Sequence, residues 1–257
     1  MLFNSYIFLF AFRCFRDEHS RERMRQIGFS SGADSIYPDL AFSLPNTMPG
    51  HQTSTVAGRR VVAVGLYNYR HRGENGGEDL AAYNGYLEWL GRFIAWLFEH
   101  DYAVRIVIGD GAYDEAIRSD LRARLQAQNS SLLASPFFSD ACAQSFEEVV
   151  NQLASTDIVV ATRYHNVLLA LLMGRPVVSI SYEGKNEALM AGMGLAPYCQ
   201  SLDDFNFDKL IQQFTELEKN AASMRLSISE TAHKYREQLD AEYKLMVRIM
   251  CGAVPSG

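Results

Sequence analysis

The chain contains 257 residues, of which 48% are hydrophobic and 21% are charged. This composition is typical of globular proteins and supplies enough apolar surface for one large domain or two small ones. The formal net charge of -6 and the pI near 5.5 argue against a nucleic-acid-binding surface, so no nucleic-acid partner is predicted. The cysteines are widely separated and form no C-x-x-C pair, which favours a reduced, cytoplasmic protein without a metal site.

The first 15 residues are apolar and aromatic and form the candidate targeting segment. No basic residue precedes this run, no small-residue cleavage site follows it, and it is too short to span a bilayer. The alternative interpretation is a strand that leads into the next segment. Residues 20–28 then predict a short charged helix, with Ser20 as its N-cap and Gly28 at its end.

A polar run that contains proline and glycine predicts a division of the chain into three parts. Residues 1–45 are expected to be the remnant of a truncated N-terminal domain, because so short a piece cannot build its own core. Residues 46–60 are the predicted linker, and residues 61–250 the predicted compact domain with C-terminal helices.

From residue 61 onward, short β-branched runs alternate with longer segments whose apolar residues repeat at helical spacing. The predicted strands are 61–66, 104–108, 132–134, 158–161, 177–180 and an edge strand at 197–199. The predicted helices are 80–99, 113–128, 146–154, 167–173, 187–193, 205–217 and 222–250. This alternation predicts an α/β fold with a doubly wound parallel sheet and a C-terminal helical segment.

Four polar loops follow predicted strands and should meet at one edge of the sheet, where ligands of such folds bind. They are residues 68–79, 109–111, 162–166 and 181–186. Their charged and imidazole groups are Arg70, His71, Arg72, Glu74, Asp110, Arg163, His165, Glu183 and Lys185. The set favours an anionic ligand, although loops are polar in most proteins.

Arg163 is the sharpest single feature of these loops. It is expected in or beside the first turn of a helix, where the helix dipole disfavours a cation by up to about 1 kcal/mol. A bound anion removes that conflict, because backbone N–H groups and the guanidinium can both bind it. The alternative is an arginine paired with a carboxylate such as Asp157 or Glu183.

His165 follows on the same predicted turn, where the helix terminus should lower its pKa and leave the imidazole neutral for proton transfer. Its alternative is a capping or core histidine. Lys185 can supply a mobile charge for phosphate or can simply be solvated. Asp110 can hold a sugar hydroxyl or make a turn. Residues 73–77 are glycine-rich but match no phosphate-binding motif, and no catalytic triad stands out.

Around these residues the sequence resembles the polysaccharide pyruvyl transferase family. The resemblance begins with a strand followed by R-x-H at Arg163-Tyr164-His165, an apolar helix and G-x-P-V-V at residues 174–178. A tyrosine with a lysine three residues on, Tyr182 and Lys185, completes this part. Residues 16–20, Arg-Asp-Glu-His-Ser, with Pro38-Asp39 after them, resemble the segment that closes the family's N-terminal domain. The ordered combination, over about residues 13–215, is fairly specific.

The resemblance implies one Rossmann-like half of a glycosyltransferase-B-type fold. It also implies transfer of an enolpyruvyl-derived unit from phosphoenolpyruvate to paired sugar hydroxyls, which forms a pyruvate ketal and uses no cofactor or metal. Arg163 would hold the donor's phosphate or carboxylate, with Lys185 and Arg16 assisting, and His165 would transfer the proton. Asn166, Tyr182 and Asp110 are further predicted substrate-binding residues.

The implied partners are phosphoenolpyruvate and a glycan or lipid-linked sugar, the latter with peripheral membrane association. The implied setting is exopolysaccharide or cell-wall glycan synthesis. The family's glycine-rich first domain is absent from the sequence apart from its closing segment. Two alternatives therefore stay open. One is a nucleotide-sugar glycosyltransferase, and the other is an inactive binding remnant that lacks its first domain.

Overall fold

The computed structural model describes residues 13–29, 34–44, 55–69, 79–109, 111–182 and 184–251. Its strands are β1 Cys14–Phe15, β2 Ser35–Ile36, β3 Thr55–Val56, β4 Arg59–Leu66, β5 Ala103–Ile108, β6 Phe138–Ser139, β7 Ile158–Ala161, β8 Val177–Ser181 and β9 Cys199–Ser201. Its α-helices are α1 Glu18–Gln26, α2 Leu80–Glu99, α3 Gly111–Gln128, α4 Ser130–Leu133, α5 Phe146–Ala154, α6 Tyr164–Leu172, α7 Gly184–Gly192, α8 Phe207–Lys219 and α9 Ala221–Met250. Two 3₁₀ turns are Leu40–Ser43 and Ala196–Tyr198.

The main sheet has the strand order β6-β5-β4-β7-β8-β9, and all of these neighbours pair in parallel. The short strand β3 adds to β4 in the antiparallel direction. Strands β7 and β8 are buried along their whole length, as expected for strands covered by helices on both faces. The predicted doubly wound α/β fold is confirmed. The order of the strands reverses between β4 and β7.

Helices cover both faces of this sheet, as right-handed crossovers require. Helices α2, α3 and α8 share one face, where Phe93 of α2 meets Phe214 of α8 with ring centroids 5.7 Å apart. Helices α5, α6 and α7 lie on the other face, and the long C-terminal helix α9 packs against α6. The predicted C-terminal helical segment is therefore present and belongs to the layered fold.

Two predicted strands were placed wrongly. Residues 132–134 do not form a strand, because Asn129 caps the one-turn helix α4 by accepting a hydrogen bond from the Ser131 N–H at 3.2 Å. The strand of this region is β6, a few residues later. Of the predicted edge strand at residues 197–199, the first two residues belong to the 3₁₀ turn Ala196–Tyr198, where Pro197 lies in the first turn, and only Cys199 belongs to β9.

Several helix starts were also placed wrongly. The N-cap of α1 is Asp17 rather than Ser20, because the Asp17 carboxylate accepts the Ser20 N–H at 2.6 Å. Helices α6 and α7 each begin three residues earlier than predicted, at Tyr164 and Gly184. Apolar spacing locates the buried part of a helix, and the first turns of these two helices are polar. Residues 164–166 and 184–186, which were predicted as loop, therefore belong to the helices.

The N-terminal segments that the structure describes pack on two helices: the 3₁₀ turn Leu40–Ser43 packs on α9, and α1 packs on α7. Phe42 meets Tyr235 edge to face, with ring centroids 5.0 Å apart, and the Arg236 Nε donates a hydrogen bond to the Phe42 carbonyl at 3.2 Å. Strands β1 and β2 form a parallel pair outside the main sheet. Strand β4 begins at Arg59, inside the predicted linker, and the predicted division into three parts stays a prediction.

The targeting prediction concerned residues 1–15, and all but the last three lie outside the described residues. Among the helices that the structure describes, none combines the length and the apolar character needed to cross a bilayer.

Candidate functional site

The candidate site lies where the strand order reverses. Strands β4 and β7 are neighbours in the sheet, and their carboxyl ends lead into Tyr67-Asn68 and Thr162-Arg163. In open α/β sheets this switch point is the crevice that ligands occupy. The structure therefore brings the R-x-H segment to the expected edge.

Arg163 is the N-cap of α6 and makes an ion pair with Asp114 of α3. Its Nε lies 2.7 Å from Asp114 Oδ2, and its Nη2 donates to Asp114 Oδ1 at 2.7 Å. The Asp114 carboxylate is fully buried, and it also accepts the Asn68 backbone N–H at 3.0 Å. Since two of its nitrogens are engaged by one carboxylate, the guanidinium is held in a fixed plane.

The predicted alternative, an arginine paired with a carboxylate, is thus present with a different partner. Asp157 lies near Arg225 at 3.7 Å instead, and Glu183 falls outside the described residues. Sequence reasoning missed Asp114, which precedes Arg163 by 49 positions. The signal that could have found it is an acid in the first turn of the helix that follows β5.

Aromatic rings surround the Arg163 side chain. The guanidinium carbon lies 5.4 Å from the Tyr67 ring centroid and 5.6 Å from that of Tyr113. Tyr67 in turn stacks on Tyr182, with centroids 4.0 Å apart and planes 12° from parallel. Gly109 leaves the room for this arrangement, because a Cβ there would lie 2.5 Å from the Arg163 Cδ. Together these contacts fix the position of the arginine.

His165 lies in the first turn of α6 and is exposed. The largest cause of its lowered pKa is the desolvation of the part of the side chain that packs against the protein, and the positive charges of Arg163 and Lys185 lower the pKa further. Asp39 opposes this shift. The direction of the shift agrees with the sequence-based expectation, but its causes are burial and neighbouring cations rather than the helix terminus that the sequence suggested. A lower pKa favours the neutral imidazole near neutral pH.

A small cleft of about 150 Å³ lies beside Tyr164 and contains Arg16 and Lys185. The Arg16 guanidinium carbon lies 5.1 Å from the Tyr164 ring centroid, and the Lys185 Nζ lies 5.9 Å from the same centroid. The Tyr164 hydroxyl donates to Asp39 at 2.9 Å, and Asp39 lies 3.6 Å from Arg16. Two of the predicted binding cations, Arg16 and Lys185, thus lie beside the same tyrosine ring.

A larger cleft of about 370 Å³ lies beside His165. Its walls are mainly apolar and include Leu168, Leu169 and Phe146, whose side chain is 56% exposed. Ser145 adds a hydroxyl, which caps α5. The first turn of α6 therefore separates two clefts, one lined by Tyr164 and the other by His165.

Asn166 lies at the back of the larger cleft and is fully buried. It fits there because Gly65 and Gly109 have no side chains: a Cβ on Gly65 would lie 2.9 Å from the Asn166 Nδ2, and one on Gly109 would lie 3.0 Å from its Oδ1. The close approach of α6 to the ends of β4 and β5 depends on these two glycines.

Two further predicted residues have different outcomes. The Tyr182 ring is buried, and the Lys185 Nζ lies 5.1 Å from its centroid. The tyrosine and the lysine of the motif therefore lie close together. Asp110 lies outside the described residues. Within the described ranges, no group of three histidine, cysteine or acidic residues is placed to hold a metal ion.

The architecture is a Rossmann-like half of a glycosyltransferase-B-type fold. The structure of a UDP-GlcNAc 2-epimerase from Neisseria meningitidis bound to UDP-GlcNAc matches with a TM-score of 0.57 and 14% identity, over 91% of this chain and 60% of that one. An O-GlcNAc transferase mutant from Thermobaculum terrenum matches with a TM-score of 0.53 and 16% identity, over 82% of this chain and 40% of that one. These likenesses show the fold alone. The chain spans 40% to 60% of the length of these two structures.

A family model described as polysaccharide pyruvyl transferase matches residues 8–184, more than half of the chain. The chain therefore belongs to the polysaccharide pyruvyl transferase family. A comparison with curated protein sequences gave no match.

Proposed function

We propose that the chain is the donor-binding part of a transferase that moves a pyruvyl group from phosphoenolpyruvate to paired sugar hydroxyls of a polysaccharide or its precursor. The observation that carries the proposal is the first turn of α6. It places His165, with a lowered pKa, among Arg163, Lys185 and Arg16. A neutral base next to several cations suits a small, highly charged donor.

The small cleft is the proposed donor site. Arg16 and Lys185 line it and can bind the donor's phosphate and carboxylate, while the α6 terminus adds a favourable dipole. Arg163 lines neither cleft, but Asp114 holds its guanidinium plane in place. In the proposal, Arg163 is a fixed positive charge directed at the donor from the other side of the turn.

His165 is the proposed proton-transfer residue. Because its pKa is lowered, the neutral imidazole can accept the proton of the attacking sugar hydroxyl. One hydroxyl proton ends on the methylene carbon of the donor, which becomes a methyl group. The other leaves with inorganic phosphate as both sugar oxygens bond to the same carbon. The larger cleft, which His165 lines, is the proposed acceptor site.

The proposed setting follows from this reaction. It needs no cofactor or metal, it takes place in the cytoplasm, and its acceptor is a glycan or a lipid-linked sugar of exopolysaccharide or cell-wall glycan synthesis. A lipid-linked acceptor would bring the protein to the membrane surface.

A nucleotide-sugar glycosyltransferase is the second candidate. The observation that favours it is the likeness in fold to the Thermobaculum terrenum O-GlcNAc transferase, with a TM-score of 0.53. A binding remnant without activity is the third candidate, and a phosphate-release assay distinguishes it from the proposed pyruvyl transferase. Fold alone does not decide among these chemistries.

The titration of His165 tests the proposed site. NMR should place its pKa below the ordinary value of 6.5 in the free protein, and phosphoenolpyruvate should raise it, because a bound anion stabilises the imidazolium. Since folding lowers this pKa, the contribution of His165 to stability is present above pH 6.5 and is lost as the pH falls below that value.

The Lys185→Ala variant tests the donor site in the same titration, because it removes a cation that lines the small cleft. Phosphoenolpyruvate should raise the His165 pKa less in this variant than in the wild-type protein. A His165 pKa at or above 6.5 in the free protein, or one that phosphoenolpyruvate leaves unchanged, would contradict the assignment.

A further inference from the structure

A separate groove of about 370 Å³ lies on the face of the sheet that carries α2 and α8. Its walls are the first half of α2 and the residues that lead into α8, including Trp89, Phe205 and Phe207. Trp89 and Phe205 stack with ring centroids 4.6 Å apart. Gly85 lies one turn before Trp89, and a Cβ there would meet nothing within 4 Å. The groove therefore has an aromatic wall beside open space.

The polar groups of this groove balance one another in charge. Glu88 forms an ion pair with Arg124, and the Arg92 guanidinium carbon lies 4.0 Å from the Phe207 ring centroid. Asp208, in the first turn of α8, offsets the charge of Arg92. Asn206 caps α8 through its side-chain oxygen, which accepts the Lys209 N–H at 2.9 Å. Donors and acceptors are thus present without a net charge that would select an ion.

We propose that this groove binds a neutral saccharide unit of a glycan. Pyranose rings present apolar C–H faces and a rim of hydroxyls, which complement aromatic rings flanked by a carboxylate, a guanidinium and an amide. The inference rests on the proposed function only in taking the acceptor to be a glycan. The groove shares no lining residue with the two clefts beside α6.

The Trp89 indole points to the same conclusion. Trp89 is 5% exposed, and its N–H has no hydrogen-bond partner among the residues that the structure describes. A buried donor left without a partner is unfavourable, and a ligand hydroxyl in the groove can supply the acceptor after a small shift of the ring.

Contacts within the core connect this groove with the candidate reaction site. The Trp89 ring meets Tyr86 edge to face at 5.2 Å, and the Tyr86 hydroxyl donates to the Thr162 hydroxyl at 3.1 Å. Thr162 is the residue before Arg163. The groove and the proposed donor site are therefore linked by packed side chains, from Trp89 through Tyr86 to Thr162.

The test uses a phenylalanine placed in the groove. In Gly85→Phe the new ring lies four residues before Trp89 on the same helical face, so it fills the space that the ligand needs. It should not weaken α2, because phenylalanine has a higher helix propensity than glycine. Asn84→Phe is the matched control, because Asn84 is also an exposed residue of α2 and lies about 100° away from Gly85 around the helix axis.

The probes are cellotetraose, mannotetraose and galactotetraose, titrated while NMR follows the indole N–H signals of the two tryptophans. At least one probe should shift the Trp89 signal in a saturable way. Its affinity should fall by about tenfold or more in Gly85→Phe and stay near that of the wild-type protein in Asn84→Phe.

The inference is overturned if no probe gives a saturable shift, or if Gly85→Phe binds the saccharide as well as the wild-type protein does. Calorimetry with phosphoenolpyruvate on the wild-type protein reports separately on the proposed function. Phosphoenolpyruvate binding without saccharide binding rejects the groove alone, and the reverse result rejects the donor site alone.

Discussion

Replacement of Asp114 by alanine is expected to lower the free energy of unfolding by about 3–5 kcal/mol. The variant removes the fully buried carboxylate that engages the Arg163 Nε and Nη2, and it leaves a guanidinium whose side chain is only 14% exposed. It also removes the acceptor of the Asn68 backbone N–H. Urea denaturation followed by circular dichroism measures the change.

A double-mutant cycle separates the ion pair from the other roles of Asp114. The double variant Asp114→Leu with Arg163→Met replaces both charges by apolar side chains. Its loss of unfolding free energy should be smaller than the summed losses of the single variants Asp114→Leu and Arg163→Met, because no buried charge remains without its partner. A loss below about 1 kcal/mol in Asp114→Ala would show that the pair behaves like an exposed one and that Arg163 is not held by it.

Replacement of His165 by alanine is expected to lower the rate of phosphate release from phosphoenolpyruvate by about 10²- to 10⁴-fold, the usual contribution of a positioned acid–base residue. The reason is the loss of the neutral imidazole that would take the hydroxyl proton. The measurement is a phosphate-release assay with methyl β-galactopyranoside, whose paired hydroxyls serve as the acceptor. Since His165 is exposed, the fold should tolerate the change.

His233→Ala is the control for this experiment, because its side chain is 72% exposed on α9 and lines neither cleft beside α6. Its rate should equal that of the wild-type protein. A wild-type rate in His165→Ala would reject the proton-transfer role. A wild-type protein without phosphate release, but with the fold intact, would favour the binding remnant.

The sheet could be predicted from the sequence because its strands are continuous apolar runs and its helices repeat apolar residues at a clear spacing. Helix α2 was predicted with the bounds that the structure shows, Leu80–Glu99, since nine of its residues point into the core. The short strand β6 was missed because its two residues, Phe138 and Ser139, carry no pattern that distinguishes a strand from a loop.

The candidate site could be predicted only in part. The R-x-H segment follows a buried strand, so its position at the carboxyl edge was predictable from the chain alone. The ion pair with Asp114 was not, because it joins residues that are distant in sequence and meet only when β4, β5 and β7 align. The separation of the two clefts also depends on side-chain directions on the first turn of α6, which the sequence does not specify.

The cations of the small cleft illustrate the same limit. Arg16 and Lys185 were associated only through the family resemblance, and their common contact with the Tyr164 ring follows from the packing of α1 against α7. No periodicity in the sequence relates residues so far apart. Only the family resemblance placed Arg16 and Lys185 in one predicted site.

Calorimetry of the wild-type protein with phosphoenolpyruvate and, separately, with UDP-GlcNAc tests the central claim most directly. The proposed function predicts saturable binding of phosphoenolpyruvate that is weakened in Lys185→Ala, together with no measurable heat from UDP-GlcNAc. Tight binding of UDP-GlcNAc without any response to phosphoenolpyruvate would contradict it and would identify the site as one for a nucleotide sugar.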